Sequence, residues 1–288
     1  KCKSCDITLT YHKKRDVMVC HYCFQEQSPP ASCPECLMPD IKYHGFGTER
    51  IEEEIKRRFP GQRLIRMDTD TMRERDAHQN AFSAFQSGEA NILLGTQMIA
   101  KGLDFPNVTL VGILAADSSL NIPDFRSSER TFQLLAQVSG RTGRGHKGGH
   151  VIIQAFNTTH YSIQYALTSD YKGFAKTELE FRKQLSYPPY GRMVRILFLG
   201  KKEEKVKEKS LALTNKLKQY AKQIDSRVQL LGPAPAPINK IRDKFRWHTI
   251  LKAPKNRMLN DLLDSVNADL TQSAGIQIIV DVDPGNML

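Results

Sequence analysis

Asn91-Ile92-Leu93-Leu94-Gly95-Thr96-Gln97-Met98-Ile99-Ala100-Lys101-Gly102-Leu103-Asp104-Phe105 is the stretch on which the reading of this chain turns. It begins as a short apolar run and breaks at once into glycine, hydroxyl and charged residues, the pattern of a buried strand emptying into a loop. Open parallel sheets gather their ligands in such loops, at the carboxyl ends of strands. Small and hydroxyl residues let backbone amides and a side-chain OH approach phosphate oxygens. Gly102 permits a tight turn, and Asp104 can accept from a ribose hydroxyl or hold the loop's own amides. A reading of equal weight is that Gly102 and Asp104 merely build a turn.

Working outward, residues 63–68, 108–114 and 150–154 are further short apolar strands, and 78–86 and 127–138 are amphipathic helices. Their alternation predicts a parallel sheet covered on both faces. Upstream, Thr48 is placed to N-cap a helix with Glu49, Glu52, Glu53 and Glu54 early and Lys56, Arg57 and Arg58 late, stopped by Pro60-Gly61. Downstream, Gln137-Val138-Ser139-Gly140-Arg141-Thr142-Gly143-Arg144-Gly145 leaves a helix. Two arginines three apart among glycines suit delivery of permanently charged, planar guanidiniums to a triphosphate better than core packing. A solvated basic loop is the weaker alternative.

Past a polar, helix-rich connector at 158–187, Pro188-Pro189-Tyr190 marks a boundary. A strand (193–199), a charged helix (203–224), a Pro-rich turn (232–237), a strand (247–251), a helix (257–270) and a strand (276–282) then predict a separate small α+β domain of βαββ-like order. Within it Lys240, Arg242, Lys244 and Arg246 surround Phe245 and Trp247, interleaving cations with aromatics as backbone contact plus base stacking would require. The equal alternative buries the two aromatics and leaves the cations to water.

All six cysteines fall before residue 37, as three C-x2-C pairs: Cys2 and Cys5, Cys20 and Cys23, Cys33 and Cys36. Each pair puts two thiolates on one side of a tight turn, half of a tetrahedral zinc shell. The alternating stretches 7–11 and 16–19 read as a hairpin joining the first two pairs, which we assign to one structural zinc with no open position for water. Cys33 and Cys36 then need two ligands, from a histidine such as His12, His21 or His44 or from a pair before residue 1, the expectation we favour. A competing grouping joins Cys20 and Cys23 to Cys33 and Cys36 and strands the first pair.

The 288 residues carry 42 Lys and Arg against 31 Asp and Glu, a net charge of +11, which suits a polyanionic partner without requiring one. The apolar content of 40% excludes a disordered tail. No long apolar run and no signal-peptide pattern occur, so a cytoplasmic protein without a membrane segment is expected. The opening without Met, directly on a cysteine pair, predicts a piece of something longer.

The two loops, Gly95 to Phe105 and Gln137 to Arg144, resemble motifs V and VI of superfamily 2 helicases. Further stretches are similar to one family within it, the primosomal replication-restart helicases (PriA, primosomal protein N′): Gly47-Thr48-Glu49, residues 66–71, Ala115-Ala116-Asp117, residues 123–135, Tyr187-Pro188-Pro189, residues 232–235 and Asp281-Val282-Asp283-Pro284. Val138, where other superfamily 2 members tend to carry Arg, matches that family; Leu103, where relatives often carry His, receives no role.

The resemblance implies a RecA-like helicase lobe, a parallel sheet with helices on both faces, following a cysteine ribbon and preceding the α+β domain. The expected boundaries are 1–40, 41–157, 158–190 and 191–288. It implies a bacterial ATP-dependent 3′ to 5′ DNA helicase that recognises stalled forks and reloads the replication machinery. Arg141 and Arg144 would be arginine fingers on ATP held by the other lobe, with Gln137 assisting. Thr96 and Gln97 would touch the DNA backbone, while Gly102 and Asp104 couple DNA to nucleotide. The implied partners of this expected monomer are single-stranded and forked DNA, loader proteins, and the tail of single-stranded DNA-binding protein, anchored by Arg257.

The family's cysteine region holds four pairs and two zincs, which implies one complete site here. No G-x-x-x-x-G-K-[ST] loop and no acidic box for magnesium occur in the chain. ATP and magnesium are therefore expected to bind residues upstream, and this piece alone is not expected to hydrolyse ATP. The rival reading is a zinc-ribbon nucleic-acid-binding module without a motor role.

Overall fold

Alternation of apolar and polar residues between the first two cysteine pairs closes a hairpin: β1 (Thr10–His12) runs antiparallel to β2 (Val17–Val19), with Thr10 opposite Val19, and β3 (Glu26–Gln27) adds to the other side of β2. The computed structural model describes the chain except residues 13–14, 34–35, 40–46, 69–70, 73–75, 101–106, 141–147 and 272–274. It divides into two units. One comprises Lys1–Pro30, Pro123–Arg126 and Ala175–Leu288, the other Ala31–Ile122 and Ser127–Phe174.

The second unit holds the α/β alternation expected from the sequence: α1 (Thr48–Arg58), β4 (Leu64–Met67), α2 (Ala77–Gln86), β5 (Ile92–Gly95), β6 (Leu110–Ile113), α3 (Ser127–Ser139), β7 (His150–Ile153) and α4 (Tyr161–Leu167). Both pairings, β4 with β5 and β6 with β7, are parallel; among the described residues they form two two-stranded ladders. Helix α3 buries Thr131, Phe132 and Leu135, and Phe132 stacks on Phe174 at 4.1 Å between ring centres. Thr48 does not cap α1. Gly47 occupies the N-cap with extended backbone, and the Thr48 hydroxyl, one residue inside the helix, donates to Asp68 at 2.6 Å. A carboxylate is the stronger acceptor, so the hydroxyl leaves the helix end for it.

The first unit is built on a four-stranded antiparallel sheet in the order β11-β8-β10-β9. Its elements are β8 (Arg192–Gly200), α6 (Glu203–Ile224), β9 (Gln229–Ile241), β10 (Lys244–Ala253), α7 (Asn256–Asp264), α8 (Asn267–Thr271) and β11 (Gln277–Val282), preceded by α5 (Tyr171–Gln184), which begins in the other unit's range. This is a βαββαβ order, the ferredoxin-like arrangement, rather than βαββ. Val194, Ile196 and Phe198 of β8 pack with Val206, Leu213 and Leu217 of α6, all nearly inaccessible to solvent. Apolar burial of this kind contributes about 1.5–3 kcal/mol per large side chain.

Two local expectations are corrected. The prolines at 233, 235 and 237 lie inside β9 rather than in a turn. β9 is an edge strand whose register against β10 shifts between Phe245 and Trp247 and again between His248 and Ile250, and edges and bulges are where a sheet tolerates residues without an amide hydrogen. The expected 257–270 helix breaks in two, where the Ser265 hydroxyl donates to the Leu262 carbonyl at 2.6 Å and Val266 turns into the core. A serine competing for helix carbonyls in this way ends a helix. No helix among the described residues is long and apolar enough to cross a membrane.

Candidate functional site

The first two cysteine pairs are built as matching knuckles. The Cys2 amide donates to the Ile7 carbonyl at 2.8 Å and the Cys20 amide to Gln25 at 3.0 Å, each looping the chain back over its thiols. Positive φ at Asp6 (27°) and Phe24 (63°) turns the chain out of each loop. The hairpin β1–β2 carries one knuckle to the other. As a result the four sulfurs of Cys2, Cys5, Cys20 and Cys23 all lie within 4.8 Å of one another, with Leu9 buried beside them.

Burial pushes the Cys2 and Cys5 thiols up. Burial also opposes ionisation of Cys20, but amide hydrogens of Cys23 and Tyr22 outweigh it and bring that thiol down to about 7. Four converging thiols, three of them buried, fit Zn²⁺: bonds of about 2.3 Å in a tetrahedron place sulfurs about 3.8 Å apart, and Cys2 and Cys23 sit at 3.6 Å. The alternative grouping of Cys20 and Cys23 with Cys33 and Cys36 is overturned by this convergence. Cys33 and Cys36 nevertheless form a third knuckle of the same kind. The Cys33 amide donates to Met38 at 2.9 Å, the Leu37 amide returns to Cys33 at 2.8 Å, and Leu37 has φ 60°. Among the described residues no second metal-competent cluster includes them.

In the α/β unit, β5 ends at Gly95, where a Cβ would lie 2.4 Å from the Met67 carbonyl oxygen, so only glycine lets the ends of β4 and β5 close together. Thr96 and Gln97 follow, both exposed, at the carboxyl end of β5, where a 3-10 turn (Gln97–Ala100) begins. Gln137 is exposed on the last turn of α3, away from Thr131, Phe132 and Leu135. Gly102, Asp104, Arg141 and Arg144 lie outside the described residues.

Two stretches singled out in the sequence meet at Asp68. Its carboxylate accepts from the Thr48 hydroxyl at 2.6 Å, the Thr71 amide at 3.0 Å and the Thr71 hydroxyl at 3.1 Å. It also faces the buried Arg66 guanidinium at 3.1 Å, which lies 3.2 Å from Glu52 and 3.4 Å from Glu49. Burial acts to raise the Asp68 pKa, yet Thr48, Thr71 and Arg66 together hold it below the usual carboxylate range. Asp117, in a third such stretch, accepts the amides of Asn157 at 2.8 Å and Phe156 at 2.9 Å, which lower its pKa and tie the chain beyond β7 to the end of β6. These links between distant segments were not evident from spacing.

The four basic residues of the C-terminal domain divide. Phe245 and Trp247 pack on the helix-covered core face, so the aromatics are core residues and not a stacking platform. Arg246 is buried on the opposite face, donates to the Ile238 carbonyl at 3.2 Å, and lines with Lys244, Leu197, Leu199 and Ile279 an open cavity of about 300 Å³. Lys244 is exposed and reaches Gln277 at 3.4 Å. Lys240 donates to the Lys3 carbonyl at 2.9 Å, and the Arg242 side chain to the Tyr22 carbonyl at 3.1 Å. Arg257 is exposed in the first turn of α7, 3.9 Å from Asp261.

Three family models match the chain in succession: the PriA DNA helicase Cys-rich region domain at residues 2–27, the helicase conserved C-terminal domain at 45–146 and the primosomal protein N C-terminal domain at 183–285. The chain is 44% identical over 293 residues to the replication restart protein PriA of Bacillus subtilis, covering 100% of this chain and 36% of that protein. It is 41% identical to the protein of that name from Synechocystis (99% and 34%) and 39% identical to that from Treponema pallidum (100% and 43%). The chain thus spans roughly 36% of the length of the first of these relatives.

Proposed function

Because the chain belongs to the PriA family of replication restart proteins, as a C-terminal portion of its members, we propose that it supplies the zinc ribbon, second motor lobe and C-terminal domain of an ATP-dependent DNA helicase. That helicase moves 3′ to 5′, acts at stalled forks and promotes primosome assembly and replication restart in the bacterial cytoplasm. One observation carries the reading: cysteine region, helicase C-terminal domain and primosomal C-terminal domain follow one another in a single chain, in that order. Four convergent thiols support a structural zinc held by Cys2, Cys5, Cys20 and Cys23.

In this reading Arg141 and Arg144 stabilise charge developing on the transferring phosphate, with Gln137 at the edge of the same site. Thr96 and Gln97, exposed at the carboxyl end of β5, hold the DNA backbone. Gly102 and Asp104 couple the two ligands, and Lys244 and Arg246 contact phosphates. Arg257 meets the acidic tail of single-stranded DNA-binding protein. Loader proteins, magnesium and ATP engage the whole monomeric protein, and the chain by itself, lacking a phosphate-cradling lysine loop, does not turn over ATP.

The test is Arg144→Ala in the full-length protein. Its DNA-stimulated ATPase should fall about a thousandfold, the scale of an arginine finger, with DNA binding retained. Unaltered turnover would refute the assignment.

A further inference from the structure

The hairpin between β9 and β10 turns at Arg242-Asp243, with Ile241 paired to Lys244. Both turn residues have positive φ, 49° and 62°. A two-residue hairpin with both central residues in this region is the turn that asparagine and glycine favour, and an arginine and an aspartate adopt it only at a cost in backbone energy. The two central amides of such a turn stand outside the strand ladder and ordinarily face water.

Here both amides are used, and both go to the first cysteine knuckle. The Arg242 N–H donates to Cys5 Sγ at 3.2 Å, and the Asp243 N–H donates to the Ser4 carbonyl at 2.8 Å. The side chains continue the contact: Arg242 Nε donates to the Tyr22 carbonyl inside the second knuckle, and Lys240 Nζ to the Lys3 carbonyl inside the first. Ile241 completes it, packed on the apolar cluster of Cys2, Cys5, Leu9 and Cys20. The strained turn thus grips both halves of the metal centre.

We infer that this hairpin tip is the outer shell of the zinc site, so that holding the metal and placing the C-terminal domain's basic hairpin are one coupled equilibrium. The inference rests on the zinc reading of the four cysteines. Four thiolates around Zn²⁺ carry net negative charge, and an N–H aimed at one sulfur, with Arg242 and Lys240 close by, offsets it and fixes the ligand's direction. In return the knuckle supplies the acceptors that hold Arg242 and Asp243 in a conformation they disfavour. Lys244 and Arg246, the next outward residues of β10, take their position from the same anchor.

The test uses the 288-residue chain. Metal analysis first establishes one zinc per chain; no zinc in reduced protein would overturn the metal reading and the coupling with it. Hydrogen exchange is then measured with and without zinc. Coupling predicts that metal removal speeds exchange at the amides of 242 and 243 about tenfold or more while the β8 and β10 core amides stay protected. Unchanged exchange at 242 and 243 would overturn it, whatever the zinc content.

Ile241→Asp provides the converse arm, since Ile241 lies outside the sheet–helix core and is not a metal ligand. It should release zinc to a chelator about tenfold faster, the lower end of outer-shell effects on metal affinity. Arg242→Asn with Asp243→Gly, which keeps both amides in a favoured turn but removes the guanidinium, should release zinc more slowly than Ile241→Asp does. Wild-type release from Ile241→Asp would sink the coupling.

Discussion

Replacing Asp68 by asparagine tests whether the hub it forms holds the α/β unit together. The substitution keeps shape and removes charge. Asp68 accepts from Thr48 and twice from Thr71, and faces Arg66 at 3.1 Å. Hydrogen bonds to a charged group contribute about 1.5–3 kcal/mol and neutral ones about 1, so the oxygen that asparagine keeps loses about 1 kcal/mol and the one it exchanges for an NH2 donor, which cannot accept, loses about 1–2 kcal/mol. Arg66 loses one of its buried partners but keeps Glu52 and Glu49. That is milder than stripping a buried charge of all compensation, which costs about 3–5 kcal/mol. A total of about 2–3 kcal/mol follows, or about 30- to 140-fold faster exchange of the β4 amides at about 1.4 kcal/mol per tenfold.

The acid limb sharpens the test. The folded pKa of Asp68 is depressed, so its contribution is complete above the unfolded value of about 3.9 and is lost as pH falls through the lower folded value. The gap between wild type and Asp68→Asn should therefore be full at pH 7 and shrink once the medium is more acidic than the unfolded value. A β4 exchange rate changed less than twofold at pH 7 would refute the hub, as would a gap that widens in acid.

Gly95→Ala should destabilise the β4–β5 pair by about 1–3 kcal/mol, as overpacking does, because the added carbon meets the Met67 carbonyl; urea unfolding followed by circular dichroism would report it. Leu217→Ala, at a site with no solvent exposure, should cost about 2–5 kcal/mol. The single tryptophan lies in the same core, so its fluorescence reads that unit alone. Cys20→Ser should abolish stoichiometric zinc, whereas Cys36→Ser should leave the four-cysteine site loaded, as metal analysis would show. His248, held neutral first by burial and then by Arg195 and Arg246, should titrate below its usual range by NMR. Stability should then fall as pH drops through its unfolded value of about 6.5, and His248→Gln should reduce that slope.

The parts legible in the sequence were those written in local spacing. Knuckle spacing identifies the thiol pairs, and the alternation at 7–11 and 16–19 identifies the hairpin that brings two of them together. Helix α6 announces itself through a long, one-sided pattern, and strand β8 through a near-continuous apolar run buried on both faces. What escaped was set by partners far away in sequence. Thr48 has every local credential of a cap, but Asp68, 20 residues on, offers a better acceptor. The prolines at 233, 235 and 237 read as a turn because no local pattern tells an edge strand from a loop. Phe245 and Trp247 have the composition of a stacking surface, and only the sheet's packing decides which face they take. The amide of Arg242 meets Cys5 across 237 residues, a contact no window could contain.

Strand β9 has one further consequence. Unprotected sheet edges recruit strands from neighbouring molecules, and a partner laid along β9 would find no hydrogen to accept at 233, 235 or 237. The prolines act as an insulator at that margin, limiting extension of the sheet into fibrous or swapped assemblies. That margin stays inert while Lys244, on the neighbouring strand, remains exposed.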